Sequence, residues 1–368
     1  MKSTLLDTPA LLIDIDKVTD NCMRMQKYAD AQGVTLRPHT KTHKIPKLAH
    51  KQLELGAQGI AVAKVGEAEV MAAQGIKDIF IANEIVGIKK LERIMTLGKT
   101  VDISFGLDSI AQAKMIESVF SDSDHQAQVL IEIEVGEERS GIIEKNDFIE
   151  LLHHLRDCKH IHLKGIFSHD GHSYGAKNLI DLEHIHLVSQ KRTLEFVEIA
   201  KSFGFEISTV SIGSTPPLMH DFPILNGITE IRPGTYIFMD ASQGNAFGSH
   251  DQCAATVLAT VMSKPTEDRV ILDVGAKGLT AQRRNKGMCI TTGLGLIKGF
   301  DGVTIYDVFD EHAIIYSKSF SDSVSVGDKI EIIPNHICPV VNLHESAYFI
   351  ENGYVAYEVK VECRGQLK

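Results

Sequence analysis

The sequence lacks several features that would assign a 368-residue chain to a class at once. Its six cysteines are scattered without a CxxC pair, so they predict reduced thiols and not a disulfide framework. No apolar run reaches the roughly 18 residues of a membrane helix, and the start of the chain lacks a secretory signal. The net charge of -10 disfavours nucleic acid and anionic membranes as partners. We therefore expect a cytoplasmic protein that binds neither.

The first 240 residues show a regular alternation of short apolar runs and helix-period segments. The runs are rich in Val, Ile and Ala, and eight are present: Val34–Leu36, Gly59–Ala63, Asp78–Ala82, Val101–Gly106, Val129–Val135, Ile161–Phe167, Ile207–Ile212 and Glu230–Arg232. Apolar strands that alternate with helices indicate a parallel sheet covered on both faces. Eight such units predict a (β/α)8 barrel over residues 16–240, with an open doubly wound sheet as the alternative.

Beyond residue 241 the helical periods stop. Strand-like runs separated by turn signals follow, at Ala254–Met262, Arg269–Asp273, Ala313–Ser317, Lys329–Ile333 and Tyr354–Val361. This pattern predicts an all-β domain over residues 241–368. The N-terminal run Ala10–Ile15 also has strand character, and we expect residues 1–15 to join the β domain.

Polar clusters follow the predicted barrel strands, where barrels of this kind place their chemistry. The first cluster, Arg37–Lys44, sets Lys41 between two histidines. Nearby cations favour loss of the proton from a lysine, as a Schiff-base former needs. The alternative is an ordinary solvated lysine.

Two later clusters predict a phosphate site. Gly213-Ser214-Thr215 and Gly234-Thr235 follow the seventh and eighth runs, and they combine backbone N–H groups with small hydroxyls. Each could also be a simple tight turn. A phosphate site facing Lys41 is the arrangement expected for pyridoxal phosphate held as a Schiff base.

A third cluster lies in the predicted β domain. His336 and Cys338 are two positions apart after the run Lys329–Ile333, so in extended backbone their side chains share one side. Imidazole and thiolate together favour Zn²⁺, and two protein ligands leave positions open for solvent or substrate. The alternative is a buried cysteine beside a hydrogen-bonded histidine.

These motifs together resemble the D-threonine aldolase / D-serine dehydratase family, fold-type III pyridoxal phosphate enzymes similar to alanine racemase. The resemblance extends over nearly the whole chain. It rests on Thr8–Leu11, Arg37–Lys44, Glu134–Gly141, Gly213–Thr215, Arg232–Tyr236, Asp273–Lys277 and Pro334–Pro339.

The resemblance implies roles for the residues that match the family. Lys41 would carry pyridoxal phosphate and move the substrate α-proton. Arg139 would lie near the phenolate side of the cofactor, and Tyr174 near its ring. The phosphate would be held by Gly213, Ser214, Thr215, Gly234 and Thr235.

The resemblance also implies a metal and a partner subunit. His336 and Cys338 would bind Zn²⁺ near the β-hydroxyl of a β-hydroxy D-amino acid substrate. Family members are homodimers in which the β domain completes the partner's site. We therefore expect the metal motif and Lys41 to lie apart within one chain and together across the interface.

Two reactions fit this resemblance. A D-serine dehydratase-like lyase would eliminate water to give a 2-oxo acid and ammonia. A D-threonine aldolase-like enzyme would cleave the Cα–Cβ bond to give glycine and an aldehyde, with His172 as base. The aldolases usually have Asp at position 338, which suits Mn²⁺, so Cys338 favours the dehydratase. Amino acid racemisation, 3-hydroxyaspartate chemistry and a non-catalytic cofactor carrier are further alternatives.

Overall fold

The predicted alternation of strands and helices is present in a computed structural model that describes residues 1–368. The strands of this region are β1 (Ala10–Asp14), β2 (Thr35–Leu36), β3 (Ile60–Val62), β4 (Asp78–Glu84), β5 (Asp102–Leu107), β6 (Ala127–Ile133), β7 (Ile161–Ser168), β8 (Thr209–Ile212) and β9 (Glu230–Ile231). The helices are α1 (Ile15–Gln32), α2 (Pro46–Glu54), α3 (Val65–Ala73), α4 (Ile88–Leu97), α5 (Ile110–Phe120), α6 (Lys145–Asp157), α7 (Leu179–Ser202) and α8 (Thr215–Met219). Each of the eight predicted apolar runs overlaps one strand.

Strands β2 to β9 form one parallel sheet in the order β2-β9-β8-β7-β6-β5-β4-β3. Its two edges meet, because His39 bridges Ala61 in parallel and the Ala61 N–H donates to the Pro38 carbonyl at 2.8 Å. The sheet therefore curls into the predicted TIM-like barrel. This arrangement carries all eight strand ends to one rim, where the predicted polar clusters lie.

The barrel interior is filled near that rim by aromatic side chains. Phe80 and Phe167 pack edge to face with ring centroids 5.1 Å apart, and Leu130 and Ala61 complete a small buried cluster. The Arg232 guanidinium lies over both aromatic rings, with its central carbon 5.6 and 5.2 Å from the two centroids. The floor of the rim is therefore apolar and carries one buried cation.

The remainder of the chain is built mainly on a second sheet. Its strands are β10 (Ala255–Ser263), β11 (Arg269–Leu272), β12 (Gly295–Ile297), β13 (Asp307–Val308), β14 (Ala313–Tyr316), β15 (Lys329–Pro334), β16 (Ser346–Glu351) and β17 (Tyr354–Lys360). Strand β1 lies in this sheet between β10 and β16. All pairs are antiparallel except that of β1 with β16.

Short helices also occur in this region, where the sequence predicts strands alone. They are α9 (Ala241–Phe247), α10 (Ala276–Leu279), α11 (Lys318–Ser323) and α12 (Ile337–Val341). Each spans at most two turns, too few for a helical period to stand out from its neighbours. No helix of the structure has both the length and the apolarity that a membrane span requires.

Candidate active site

The segment Arg37–Lys44 leaves β2 at the barrel rim and is anchored at its first residue. Arg37 Nε donates to Glu230 Oε2 at 2.6 Å, and Arg37 Nη1 donates to Asp78 Oδ1 at 2.6 Å. The His39 N–H donates to the Pro233 carbonyl at 2.9 Å. Because Asp78 and Glu230 lie on separate strands of the barrel and Pro233 follows one of them, the segment is fixed to the sheet before it turns into a short 3-10 helix, Thr40–Thr42.

The far end of the segment is fixed as well. His43 is fully buried, its Nδ1 accepts from the Ile45 N–H at 3.0 Å, and its Nε2 lies 3.2 Å from Gln52 Oε1. Burial lowers the pKa of His43 to about 4, so the ring is neutral at physiological pH. Lys44 Nζ pairs with Glu67 Oε1 at 2.7 Å, in the protein interior.

Lys41 differs from its neighbours, because its amine has neither a hydrogen bond nor an ion pair. It faces a cavity of about 510 Å³ at the barrel rim. Burial lowers the pKa of Lys41, and the positive charges of Arg139 and Arg232 lower it further, while Cys338 and Glu137 act in the opposite sense. An unpaired amine with a lowered pKa is suited to nucleophilic attack on a carbonyl carbon.

The source of this pKa shift differs from the sequence-based expectation. The sequence assigns the effect partly to the two flanking histidines. In the structure burial is the first cause that lowers the pKa of both His39 and His43. Neutral imidazoles place no positive charge beside Lys41, so the shift comes from burial and from two arginines distant in sequence.

The predicted phosphate residues gather on one side of this cavity. Ser214, Gly234 and Thr235 line it, and Gly213 and Thr215 flank Ser214. The Thr215 hydroxyl is buried without a hydrogen-bond partner, which leaves it available to an acceptor-rich ligand. A side chain at Gly234 would place its Cβ 2.9 Å from Thr42 Oγ1 and 3.1 Å from the His39 carbonyl. A larger residue would crowd both groups, and the hydroxyl-rich pocket beside this glycine fits a phosphate.

Arg139, in the loop after β6, lines the same cavity. Its guanidinium lies 3.5 Å from Glu132 Oε1 and 3.2 Å from Glu137 Oε2. Glu132 is buried and accepts from Ser140 Oγ at 2.7 Å. Burial and the neighbouring Glu132 raise the pKa of Glu84 to about 9, so the Glu84 carboxyl group is protonated at physiological pH.

Tyr174 and His172, two positions apart, share one cavity and differ at another. Tyr174 lines the Lys41 cavity, and burial raises the pKa of its phenol. Both residues line a neighbouring cavity of about 430 Å³, where the His172 ring lies against Gly136. His172 does not line the Lys41 cavity, so its role as a base stays a prediction.

Two further residues of the cavity were not singled out from the sequence. His169 follows β7 and its Nδ1 donates to the Gly213 carbonyl, so Nε2 carries the free lone pair of the neutral ring. Arg232 follows β9 and donates to Ser211 Oγ at 2.5 Å and to the Ser168 carbonyl at 2.8 Å. Burial lowers the pKa of Arg232 to about 10. Their positions directly after barrel strands were the signal that could have identified both.

His336 and Cys338 line the same cavity as Lys41, which corrects two expectations. They lie near Lys41 within one chain, because Cys338 Sγ is 3.3 Å from Thr42 Oγ1 and 3.7 Å from Thr235 Oγ1. They also do not lie on one extended segment. His336 is extended and caps helix α12, whereas Cys338 lies in the first turn of that helix, so a tight strand-to-helix turn brings both side chains to the cavity.

The donor set at this turn fits a soft divalent cation. His336 Nδ1 lies 3.1 Å from Gln282 Oε1, an acceptor that places the proton on Nδ1 and leaves Nε2 free for a metal. Burial lowers the pKa of His336 to about 4, so the ring is neutral. The chain has no cluster of three or more His, Cys, Asp or Glu side chains suited to a metal. A bound ion would therefore keep open positions, as catalytic zinc does.

The curled eight-stranded sheet with an appended antiparallel sheet, and a lysine at the end of the first barrel strand, define an alanine racemase-like protein. Residues 13–242 match the alanine racemase N-terminal domain family, and residues 254–350 match the putative serine dehydratase domain family. The chain belongs to the D-threonine aldolase / D-serine dehydratase family, as the motifs predict.

Individual relatives cover almost the entire chain. A D-threonine aldolase of Arthrobacter sp. is 31% identical over 98% of this chain and 93% of its own length. A D-threo-3-hydroxyaspartate dehydratase of Delftia sp. is 30% identical over 92% of this chain and 93% of its own. A solved structure of D-threo-3-hydroxyaspartate dehydratase, a cysteine-to-alanine mutant in the metal-free form, matches with a TM-score of 0.91 at 27% identity, covering 98% of both chains.

Proposed function

We propose that the protein is a pyridoxal phosphate- and zinc-dependent lyase, similar to D-serine dehydratase, that eliminates water from a β-hydroxy D-amino acid. The products would be a 2-oxo acid and ammonia. The observation that carries the proposal is the unpaired Lys41 amine in a cavity that also contains His336 and Cys338. The relatives, which are named as aldolases and dehydratases of D-amino acids, support a lyase of this class.

Lys41 would hold pyridoxal phosphate covalently and then move the substrate α-proton. Bound pyridoxal phosphate supplies an electron sink for the carbanion that deprotonation creates. Ser214, Thr215, Gly234 and Thr235 would hold the phosphate. The lowered pKa of Lys41 leaves more of its amine unprotonated, as both roles require.

His336 and Cys338 would hold the metal beside the substrate β-oxygen. Bound zinc supplies Lewis-acid chemistry for departure of a hydroxyl group. The pairing of imidazole with thiol favours zinc over manganese. One solved structure of D-threo-3-hydroxyaspartate dehydratase is described as a metal-free form, which supports the proposal of a metal at this site.

The proposal is tested by incubating the purified protein, loaded with pyridoxal phosphate, with D-serine and with D-threonine. We expect 2-oxo acid and ammonia in equal amounts, and loss of this activity after treatment with a zinc chelator. Glycine and aldehyde without ammonia would refute the dehydratase assignment. Full activity in protein freed of zinc would refute the metal assignment.

Retro-aldol cleavage is the second candidate, because the Arthrobacter D-threonine aldolase is the 31% identical relative. This reaction needs a base for the β-hydroxyl proton. His172 lies outside the cavity, whereas His169 lines it with a free Nε2. Cys338→Asp offers a test, because a harder site should bind Mn²⁺ better and change the ratio of glycine to 2-oxo acid.

We also propose that the protein is a homodimer, as the resemblance implies, and that it acts in the cytoplasm. The exposed aromatic side chains Tyr306 and Phe309, on the second sheet, support a subunit interface there. Sedimentation at micromolar concentration tests the dimer. The double variant Tyr306→Ser/Phe309→Ser should shift the measured mass toward that of the monomer. A monomeric mass for the parent protein would refute the proposal.

A further inference from the structure

The Lys41 cavity is rich in positive charge, and most of that charge already has a partner. Five cationic side chains line it: Lys41, Lys44, Arg139, Arg232 and Arg284. Lys44 is paired with a buried glutamate, Arg139 lies between two glutamates, and Arg232 donates to a hydroxyl and a carbonyl. Lys41 is the residue proposed to hold the cofactor. Arg284 is the remaining cation.

Arg284 has no acceptor in the chain for its guanidinium. The side chain forms no ion pair and donates no hydrogen bond, and its Nε is buried without a partner. A buried N–H group without an acceptor typically costs about 1–3 kcal/mol relative to a satisfied one. The guanidinium carbon lies 5.7 Å from the centroid of the Tyr174 ring, on the side of the cavity that His336 also lines. A ligand carboxylate there would supply the missing acceptors.

The loop that carries Arg284 is held in place on both sides. The Arg284 N–H donates to Thr291 Oγ1 at 3.2 Å, and the Thr291 N–H donates to the Arg284 carbonyl at 2.8 Å. The Met288 N–H donates to the Ala176 carbonyl at 2.7 Å. Gly287, with φ +58°, packs so closely on that carbonyl that a Cβ would lie 2.4 Å from it. The guanidinium is therefore presented to the cavity by a fixed backbone.

The geometry points to Arg284 as the residue that binds the substrate carboxylate. This inference rests on the proposed function, because every amino acid substrate carries an α-carboxylate into the cavity. The planar guanidinium fork matches a carboxylate with two parallel hydrogen bonds. A carboxylate held at Arg284 would leave the amino group for the Lys41 side of the cavity and the β-oxygen for the His336 side.

The test measures, by calorimetry, how two amines without a β-hydroxyl group bind to the holoenzyme. D-alanine carries a carboxylate, and propan-2-amine carries a methyl group in its place. Arg284→Ala should weaken D-alanine binding about 10- to 100-fold, the value of a charge-assisted pair, and leave the binding of propan-2-amine unchanged. Arg284→Lys should recover part of the loss, because it restores the charge without the fork.

Arg283→Ala is the matched control. Arg283 is the adjacent arginine, it is exposed, and it lines the neighbouring cavity and not that of Lys41. Its removal should leave both affinities unchanged. Equal weakening in the two arginine variants would overturn the assignment, as would D-alanine binding that Arg284→Ala leaves intact. A loss confined to pyridoxal phosphate affinity would also overturn it and would assign Arg284 to the cofactor phosphate.

The absorbance of the cofactor separates this inference from the proposed function. If D-alanine binds with a measurable heat but leaves the absorbance spectrum of the parent protein unchanged, Schiff-base chemistry at Lys41 is refuted. In that case, the effect of Arg284→Ala on the heat of D-alanine binding would still show whether Arg284 binds the carboxylate.

Discussion

The two segments that meet at the cavity are braced in different ways. Arg37–Lys44 is fixed by charges, through the ion pairs of Arg37 with Glu230 and Asp78 and of Lys44 with Glu67. Pro334–Pro339 is fixed by neutral and single-charge hydrogen bonds. The Asn335 amide donates to two loop carbonyls, and the Ile337 N–H donates to Asp240 Oδ2 at 3.1 Å.

The difference is consistent with the chemistry proposed for each segment. Lys41 needs a lowered pKa, and the ion pairs of its segment fix it in the buried position that lowers that pKa. His336 and Cys338 need a site that a cation can enter, and a segment braced by further positive charges would repel it. In both segments the neighbours are fixed and the reactive group has unused bonding capacity.

The largest expected effect comes from removing the unpaired group itself. Lys41→Ala should lower turnover by about 10⁴-fold or more, because the residue that holds the cofactor and moves the proton is lost. Steady-state kinetics measure the loss. Borohydride reduction and peptide mapping of the parent protein should place the pyridoxyl group on Lys41, and labelling of Lys44 instead would contradict the contrast between the two lysines.

Removing a paired cation of the same segment should affect stability. Arg37→Met leaves the buried Glu230 carboxylate uncompensated and should lower the free energy of unfolding by about 3–5 kcal/mol. Chemical denaturation measures it. Arg37→Met combined with Glu230→Met should cost less than the single change, because no buried charge is left alone. A double variant less stable than Arg37→Met would show that the loss does not come from an uncompensated Glu230 carboxylate.

The neutral His43 predicts a pH dependence with a definite sign. Its pKa is about 4 in the folded state and near 6.5 when unfolded, so between these values the unfolded chain binds more protons. The stability of the cofactor-free protein should therefore rise with pH through this window, with His43 contributing roughly 1–3 kcal/mol. His43→Asn, which keeps an acceptor for the Ile45 N–H, should flatten the rise between pH 4 and 6.5. An unchanged slope would refute the contribution of His43.

The smallest expected effect is on the second segment. Gln282→Ala removes the acceptor that orients the His336 ring and should weaken zinc binding by about 10-fold. Gln282→Glu keeps an acceptor and adds charge, so it should bind zinc at least as tightly as the parent. Competition with a chromophoric chelator measures both. Equal affinity in all three proteins would exclude an orienting role for Gln282.

Local patterns were sufficient for most of the fold. The apolar runs that predict barrel strands depend on a few successive residues, and strand β4 (Asp78–Glu84) and strand β7 (Ile161–Ser168) form where those patterns lie. Helix α12 was not predicted, because five residues carry too little helical period. The predictions of individual site residues depended on motifs, and a motif cannot show which cavity a side chain reaches. Tyr174 lines the Lys41 cavity, whereas His172 does not.

The barrel, the family and the importance of Lys41 were predictable from the sequence, because each depends on a short-range pattern. The surroundings of that lysine were not predictable in this way. Arg139 and Arg232 shift its pKa from loops that follow barrel strands, and Cys338 does so from helix α12, nearly 300 residues away. Closure of the barrel and docking of helix α12 create these contacts. Burial and charge act through space, so no spacing along the chain could have shown them.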